Sequence, residues 1–261
     1  MQLKPKKSLG QNFLHDKNII DKIIHASNID SNDEILEVGP GTGNLTELIV
    51  SQNPKKIDVI ERDENLAKIL EKKFLDKINI VTKDILSIPF EFYSKRKFKI
   101  LGNLPYNIST KILSTWCLNN NLSVSKMILM FQKEVAERIV AKVNTKNYSR
   151  ITVLSNWKFN IRKIIDVKPN SFFPKPKVHS TVLEFLPKKN FYQIKDPKNL
   201  EKITKIFFSQ RRKMIKKPIN IVFKKFQFNY KKFNIRPSDR PQNIDVNKYL
   251  EIVNEYENLG S

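Results

Sequence analysis

The chain is sparing with the residues that most often carry structure or chemistry on their own. One of its 261 residues is cysteine, Cys117, so an internal disulfide is excluded. It sits in the apolar stretch STWCLNN and reads as a small buried residue. The three histidines, His15, His25 and His179, are far apart and have no cysteine cluster beside them, so no metal site is expected. Only six glycines occur, and those that cluster therefore carry information. No apolar run reaches the length of a membrane span, and no membrane partner is expected. The opening MQLKPKKSLGQNFL is basic but has no apolar h-region, so it does not read as a secretory signal or a transit segment. These absences predict a cytoplasmic protein. Nothing in the sequence asks for an oligomer, and a monomer is expected.

What the chain has in excess is positive charge. Forty-eight Lys and Arg against 26 Asp and Glu leave a formal charge of +22, which favours a polyanionic partner because each neutralised phosphate releases counterions. Only nine of the basic residues are Arg, and a Lys-, Ile- and Asn-rich composition also fits an AT-rich genome, so placement says more than the total. From Lys205 to Lys232 there are ten basic residues and no acidic one. Aromatic rings are interleaved there: Phe207, Phe208, Phe223, Phe226, Phe228 and Tyr230. That mixture predicts a packed helical unit with one cationic face.

Upstream, short buried strands alternate with amphipathic helices. EILEVG, KIDVIE, INIVTKD, FKILGN and KMILMFQ read as strands, all but INIVTKD followed by a helical stretch, and NIRKIIDV and STVLEFL read as two last strands around a proline-rich loop. Such alternation predicts an α/β domain with a mainly parallel, doubly wound sheet over residues 1–186. PKKNFYQIKDPKN then reads as a linker, and a small all-α basic domain is expected over residues 187–261.

Ligands of open α/β sheets bind at the carboxyl ends of the strands. EVGPGTGNLT places Gly39, Gly41 and Gly43 between a strand and a helix, spaced G-x-G-x-G rather than as the dinucleotide fingerprint G-x-G-x-x-G. Glu61 closes the next strand, at the distance from the glycines where an acid accepts ribose hydroxyls. Asp84 closes the third, where a carboxylate can accept from an adenine amino group. Each alone also fits a tight turn, a solvated acid or a cap; in succession they favour an adenosine-binding site.

The fourth strand ends in LGNLPYNIST. An adenine amino nitrogen is a poor nucleophile because its lone pair is delocalised into the ring. Two acceptors placed on its hydrogens would localise that pair, and the Asn103 side-chain oxygen and the carbonyl of Leu104 are candidates. Pro105 fixes φ and removes a donor, and Tyr106 can stack on the base. A lone Asn here would read as a helix cap; Leu-Pro-Tyr behind it and a cofactor loop upstream favour the catalytic reading. In SFFPKPKVHS, Phe172 and Phe173 precede two prolines, and one ring is expected to stack on a flipped base while the other joins the core.

Together these pieces resemble the KsgA-type ribosomal RNA adenine dimethyltransferases, nearly end to end. KKSLGQNFL is similar to that family's cofactor-covering N-terminal motif, at residues 1–16 here. EVGPGTGNLT, VIERD and KDIL resemble its cofactor-binding strand ends, LGNLPYNIST its catalytic motif and FQKEVAERIVA the segment after it. FFPKPKVHS resembles its base-stacking loop and FFSQRRKMI a signature of its C-terminal helical domain. One position departs: Ser149 stands where the family usually has glycine. The resemblance implies a Rossmann-like fold and S-adenosylmethionine as cofactor, contacted by Asn12, Leu14, Gly39, Gly41, Glu61, Asp84 and Asn103. It assigns the target amine to Asn103, Leu104, Pro105 and Tyr106, with Phe172 stacking. It implies double methylation of two adjacent adenosines in the 3′-terminal hairpin of small-subunit rRNA, on immature 30S subunits late in assembly. Rival readings are a large-subunit rRNA methyltransferase of the erythromycin-resistance type, a DNA adenine methyltransferase, and a non-catalytic assembly factor that retains the fold.

Overall fold

The structure, a computed structural model, describes residues 5–6, 9–94, 96–224 and 226–259. Residues 1–4, 7 and 8 of the N-terminal motif and Lys225 of the basic stretch lie outside the described residues. The chain forms two compact units: residues 1–115, 121–136 and 160–187, and residues 116–120, 137–159 and 188–261. The sequence predicts one cut near residue 187; the second unit also takes in two segments from before it.

The first unit opens with β1 (Phe13–Leu14) and α1 (Lys17–Ser27). Then β2 (Glu34–Val38), α2 (Asn44–Ser51), β3 (Lys56–Glu61), α3 (Glu64–Phe74), β4 (Asn79–Thr82), α4 (Phe90–Ser94), β5 (Phe98–Asn103), α5 (Ser109–Leu118), β6 (Val124–Gln132) and α6 (Lys133–Ile139) alternate; of these the sequence does not predict the short α4. After α7 (Arg150–Lys158) come β7 (Phe159–Val167), β8 (Phe172–Phe173) and β9 (Ser180–Pro187).

Seven strands form one sheet in the order β4-β3-β2-β5-β6-β9-β7. β2 pairs in parallel with β3 and β5, β3 with β4, and β5 with β6, whereas β6 pairs antiparallel with β9. Parallel strands covered by helices on both faces need apolar residues at nearly every position. Ile35, Leu36 and Val38 of β2 and Ile100 and Leu101 of β5 are accordingly buried. Helices start where the sequence supplies caps: Asp16 accepts from the Ile19 N–H and Asp63 from that of Asn65. α1 buries Ile19, Ile20 and Ile23, and α3 buries Leu66, Leu70 and Phe74.

The order reverses at β2, with β3 on one side and β5 on the other. Such a switch point opens a crevice at the strands' carboxyl ends. β1 and β8 form a separate two-stranded ribbon, with Phe13 opposite Phe173 and Leu14 opposite Phe172.

The second unit is helical, built on α7, α8 (Pro197–Ser209), α9 (Lys216–Val222) and α10 (Val246–Asn258). Leu200, Ile203, Phe207, Ile219, Phe223, Tyr249 and Val253 form its buried interior. The interleaved rings of the basic stretch pack on one another, Phe223 on Phe228 at 4.8 Å and Phe228 on Phe233 at 4.9 Å. Arg212, Lys213, Lys216, Lys217, Lys224, Lys231 and Lys232 are exposed. The predicted linker is pinned within this unit, the Lys188 N–H donating to the Lys158 carbonyl and the Trp157 Nε1–H to that of Tyr192.

Ser149 is the N-cap of α7 at φ −153°, extended backbone that any residue adopts, and its N–H donates to Thr152 Oγ1 at 2.9 Å. Glycine is therefore not required at this position. Cys117 is fully buried, and burial pushes its thiol up to about 12. Among the described residues no helix is long and apolar enough to cross a membrane, and no group of three or more His, Cys, Asp or Glu is placed to hold a metal ion.

Candidate active site

One cavity sits at the carboxyl ends of β2, β3 and β5. It is lined by Asn12, Leu14, Gly39, Gly41, Glu61, Asp84, Asn103, Leu104, Pro105 and Tyr106, ten of the eleven residues that the resemblance assigns to the site. Its floor is the loop after β2. Gly39 and Gly41 have φ of 69° and 59°, in the left-handed region open mainly to glycine. A Cβ on Gly41 would come within 2.7 Å of the Phe13 ring, and one on Gly39 within 3.3 Å of the Asn103 carbonyl. Only bare backbone fits between the ribbon strand β1 and the end of β5.

Glu61 is buried at the end of β3. Its Oε1 accepts from the Asp63 N–H at 2.8 Å and its Oε2 from the Gly41 N–H at 3.4 Å. Those two bonds orient the carboxylate and leave each oxygen a lone pair for a ligand. Burial pushes its pKa upward, against the pull of the backbone donors. Asp84 accepts from the Leu86 N–H at 2.9 Å and pairs with Arg62 at 3.1 Å. Arg62, adjacent to Glu61 in sequence, thus answers Asp84.

Glu37 was not anticipated. It is the next-to-last residue of β2, lines the cavity and is 1 % exposed. Burial pushes its carboxyl up to about 8, and the charge of Glu61 adds to that push. Its Oε2 has no hydrogen-bond partner among the described residues. The available signal was a charged residue inside an otherwise apolar strand, two positions before the first glycine.

The N-terminal segment is tied down at three strand ends. Gln11 Nε2 and Lys6 Nζ each reach Asp63 at 3.0 Å. The Leu14 carbonyl accepts from Asn44 Nδ2 at 2.8 Å. The Asn12 carbonyl accepts from Asn103 Nδ2, also at 2.8 Å. The last bond matters for chemistry: it ties one of the amide's two N–H donors to backbone and so fixes where Oδ1 can act as an acceptor. Gln11, Asn44 and Asp63 were not visible as site residues in the sequence, because each acts on a segment distant in the chain.

Pro105 opens the turn that leads into α5, its carbonyl accepting from the Ile108 and Ser109 N–H groups at 3.1 and 2.9 Å. The Leu104 side chain is buried. Tyr106 lines the cavity, its hydroxyl 2.5 Å from Ser180 Oγ, and burial raises its pKa. Phe172 requires a correction. It is 3 % exposed, packs in the core cluster with Leu14 and Ile23, and does not line the cavity. In a two-residue strand one ring must face in and the other out; the outward one is Phe173.

A methyl donor of the S-adenosylmethionine class carries an adenosine and two cationic centres. The residues present fit such a group: a backbone cradle that a Cβ would fill, a carboxylate at the second strand end, and an orphaned buried carboxylate oxygen at Glu37.

The chain is similar to known proteins over nearly its whole length. The "Ribosomal RNA adenine dimethylase" family model matches residues 2–258. A ribosomal RNA small subunit methyltransferase A from Pelagibacter ubique is 52% identical over 261 residues, 99% of each chain. A protein of the same name from Malacoplasma penetrans is 40% identical over 97% of this chain and 92% of its own. Among solved structures, a dimethyladenosine transferase from Plasmodium falciparum superposes with a TM-score of 0.80 at 27% identity, covering 95% of this chain and 98% of that one. The 23S rRNA methyltransferase ErmE shares the fold, with a TM-score of 0.69 at 22% identity over 94% and 100% of the two chains. The chain belongs to the ribosomal RNA adenine dimethylase family.

Proposed function

We propose that this chain methylates N6 of adenosine in small-subunit ribosomal RNA, twice on each of two adjacent adenosines in the 3′-terminal hairpin. We place the reaction on immature 30S subunits in the cytoplasm, with the protein acting as a monomer. The observation that carries this reading is the pinned amide of Asn103, oriented by its Nδ2 bond to the Asn12 carbonyl so that Oδ1 can accept beside the cofactor cradle.

S-adenosylmethionine supplies an electrophilic methyl group on a positively charged sulfur. Glu61 would hold the ribose hydroxyls, Asp84 the adenine amino group, and Glu37 would offer negative charge to the cationic end. Gly39, Gly41, Asn12 and Leu14 shape the cradle. Asn103 Oδ1 and the Leu104 carbonyl accept the two hydrogens of the target amine and draw its lone pair out of the ring. Both bonds strengthen as positive charge grows on the nitrogen, which is selective stabilisation of the transition state. Tyr106 stacks on the base, and Pro105 keeps the strand end rigid. No general base is needed before transfer, because the methylated nitrogen is a strong acid afterwards. Extruding an adenosine costs roughly a few kcal/mol, and stacking returns about 1–3 kcal/mol. The second unit, with its exposed cations and few acids, binds RNA backbone.

The test is incubation with unmodified small and large subunits and labelled cofactor, followed by nucleoside analysis. Dimethyladenosine in the small subunit supports the reading. Label in the large subunit, or none, contradicts it.

A further inference from the structure

Phe173 is 61 % exposed, against 3 % for its neighbour Phe172. A single exposed ring is ordinary; three features make this one different. First, it stands opposite Phe13 in the ribbon, and opposed residues of an antiparallel pair share a face. Phe13 and Leu14 both line the cavity, Phe13 with its ring against Gly41, while Leu14 also packs with Phe172 in the core cluster. Phe173 therefore stands on the Phe13 side of the ribbon, outside the cavity lining. Second, its loop is held at both ends. Ser171 accepts from the His15 N–H at 3.0 Å and donates to Asp16 at 2.7 Å, the His179 carbonyl accepts from the Lys133 N–H at 2.9 Å, and Ser180 meets the Tyr106 hydroxyl. Pro174 and Pro176 stiffen what lies between. Third, Lys175 and Lys177 on the same loop are exposed, with no acidic residue from Lys168 to Val182.

A rigid ring flanked by free cations is the standard chemistry for a stacked nucleobase of a single strand. We infer that Phe173 stacks on the base next to the extruded adenosine, while Lys175 and Lys177 meet the adjoining phosphates. The ring does not line the cavity, so its occupant is a neighbour and not the base being methylated. Tyr106 inside and Phe173 outside then hold consecutive nucleotides apart, which fixes the extruded one in place. This inference rests on the rRNA reading above.

The test uses unmodified small subunits and two Phe173 variants. Phe173→Ala is expected to raise KM for the subunit by about fivefold or more, the range of one lost base stack, with cofactor affinity unchanged and kcat little altered. Phe173→Trp keeps the stack and is expected to behave as wild type. A photoreactive phenylalanine analogue at position 173 is expected to cross-link to a nucleotide adjoining a methylated adenosine. Wild-type KM in Phe173→Ala, or cross-links mapping elsewhere, overturns the inference while the wild-type activity stands. Absence of dimethyladenosine with the wild-type protein overturns the functional reading, and this inference with it.

Discussion

At the scale of single residues, two carboxylates compete with their own burial. Glu37, pushed up to about 8, is held mostly protonated at neutral pH in the free protein. A raised carboxylate pKa means the folded state binds more protons than the unfolded one, so this group's contribution to stability falls as pH rises from the ordinary carboxylate range to about 8. A cationic ligand favours the ionised form. Cofactor affinity is therefore expected to rise with pH up to about 8, by at most tenfold per unit. Calorimetric titration between pH 6 and 9 checks this. Glu37→Gln is expected to bind more weakly, to lose that pH dependence, and to melt higher than wild type at pH 9 without ligand. The cavity loop offers a second test. Gly41→Ala adds a Cβ 2.7 Å from the Phe13 ring at a φ of 59°, and equilibrium dialysis is expected to show cofactor binding lost or severely weakened.

At the scale of elements, the first unit was legible because its strands are short, apolar runs closed by a polar residue. β3 and β5 run to Glu61 and Asn103 as their patterns predict. Sequence failed where the deciding contact is long-range or the pattern has no period. α7 buries Ile151, Val153, Leu154, Ser155 and Trp157, which leaves no polar stripe to betray a helix. α6 ends at Ile139 although its apolar pattern runs on to Val143, and Val140 and Val143 are exposed. Alternation in Phe172–Phe173 says that one ring is buried but not which; the partner strand β1 decides it. One element of the second unit carries its own prediction. Lys158, at the end of α7, lies 4.3 Å from the Trp157 ring centroid and donates to Asn119 and Asn120 at 3.1 and 3.0 Å. Burial lowers its pKa to about 8. The folded state then binds fewer protons than the unfolded one above that value, so this lysine's contribution to stability rises with pH between about 8 and 10. Lys158→Met is expected to flatten that rise in a thermal melt series compared with wild type.

At the scale of the whole molecule, charge and cavity divide the labour. A surplus of +22 draws the chain to RNA without reading sequence, and in the proposed function the strand ends choose the atom. Replacing Arg211, Arg212 and Lys213 by Gln is expected to weaken RNA binding and to lower the salt slope by about 2–3 if each meets a phosphate. Filter binding at several ionic strengths reads it out, and an unchanged slope would mean that these cations face elsewhere. The cofactor side should not respond, because the cavity is lined wholly by residues of the first unit. The central claim remains the amide at the end of β5. The most direct measurement is the single-turnover rate of methyl transfer by Asn103→Ala on unmodified small subunits, with RNA affinity measured alongside. A loss of at least about 100-fold in rate at near-normal RNA affinity is predicted; transfer at the wild-type rate would contradict the account.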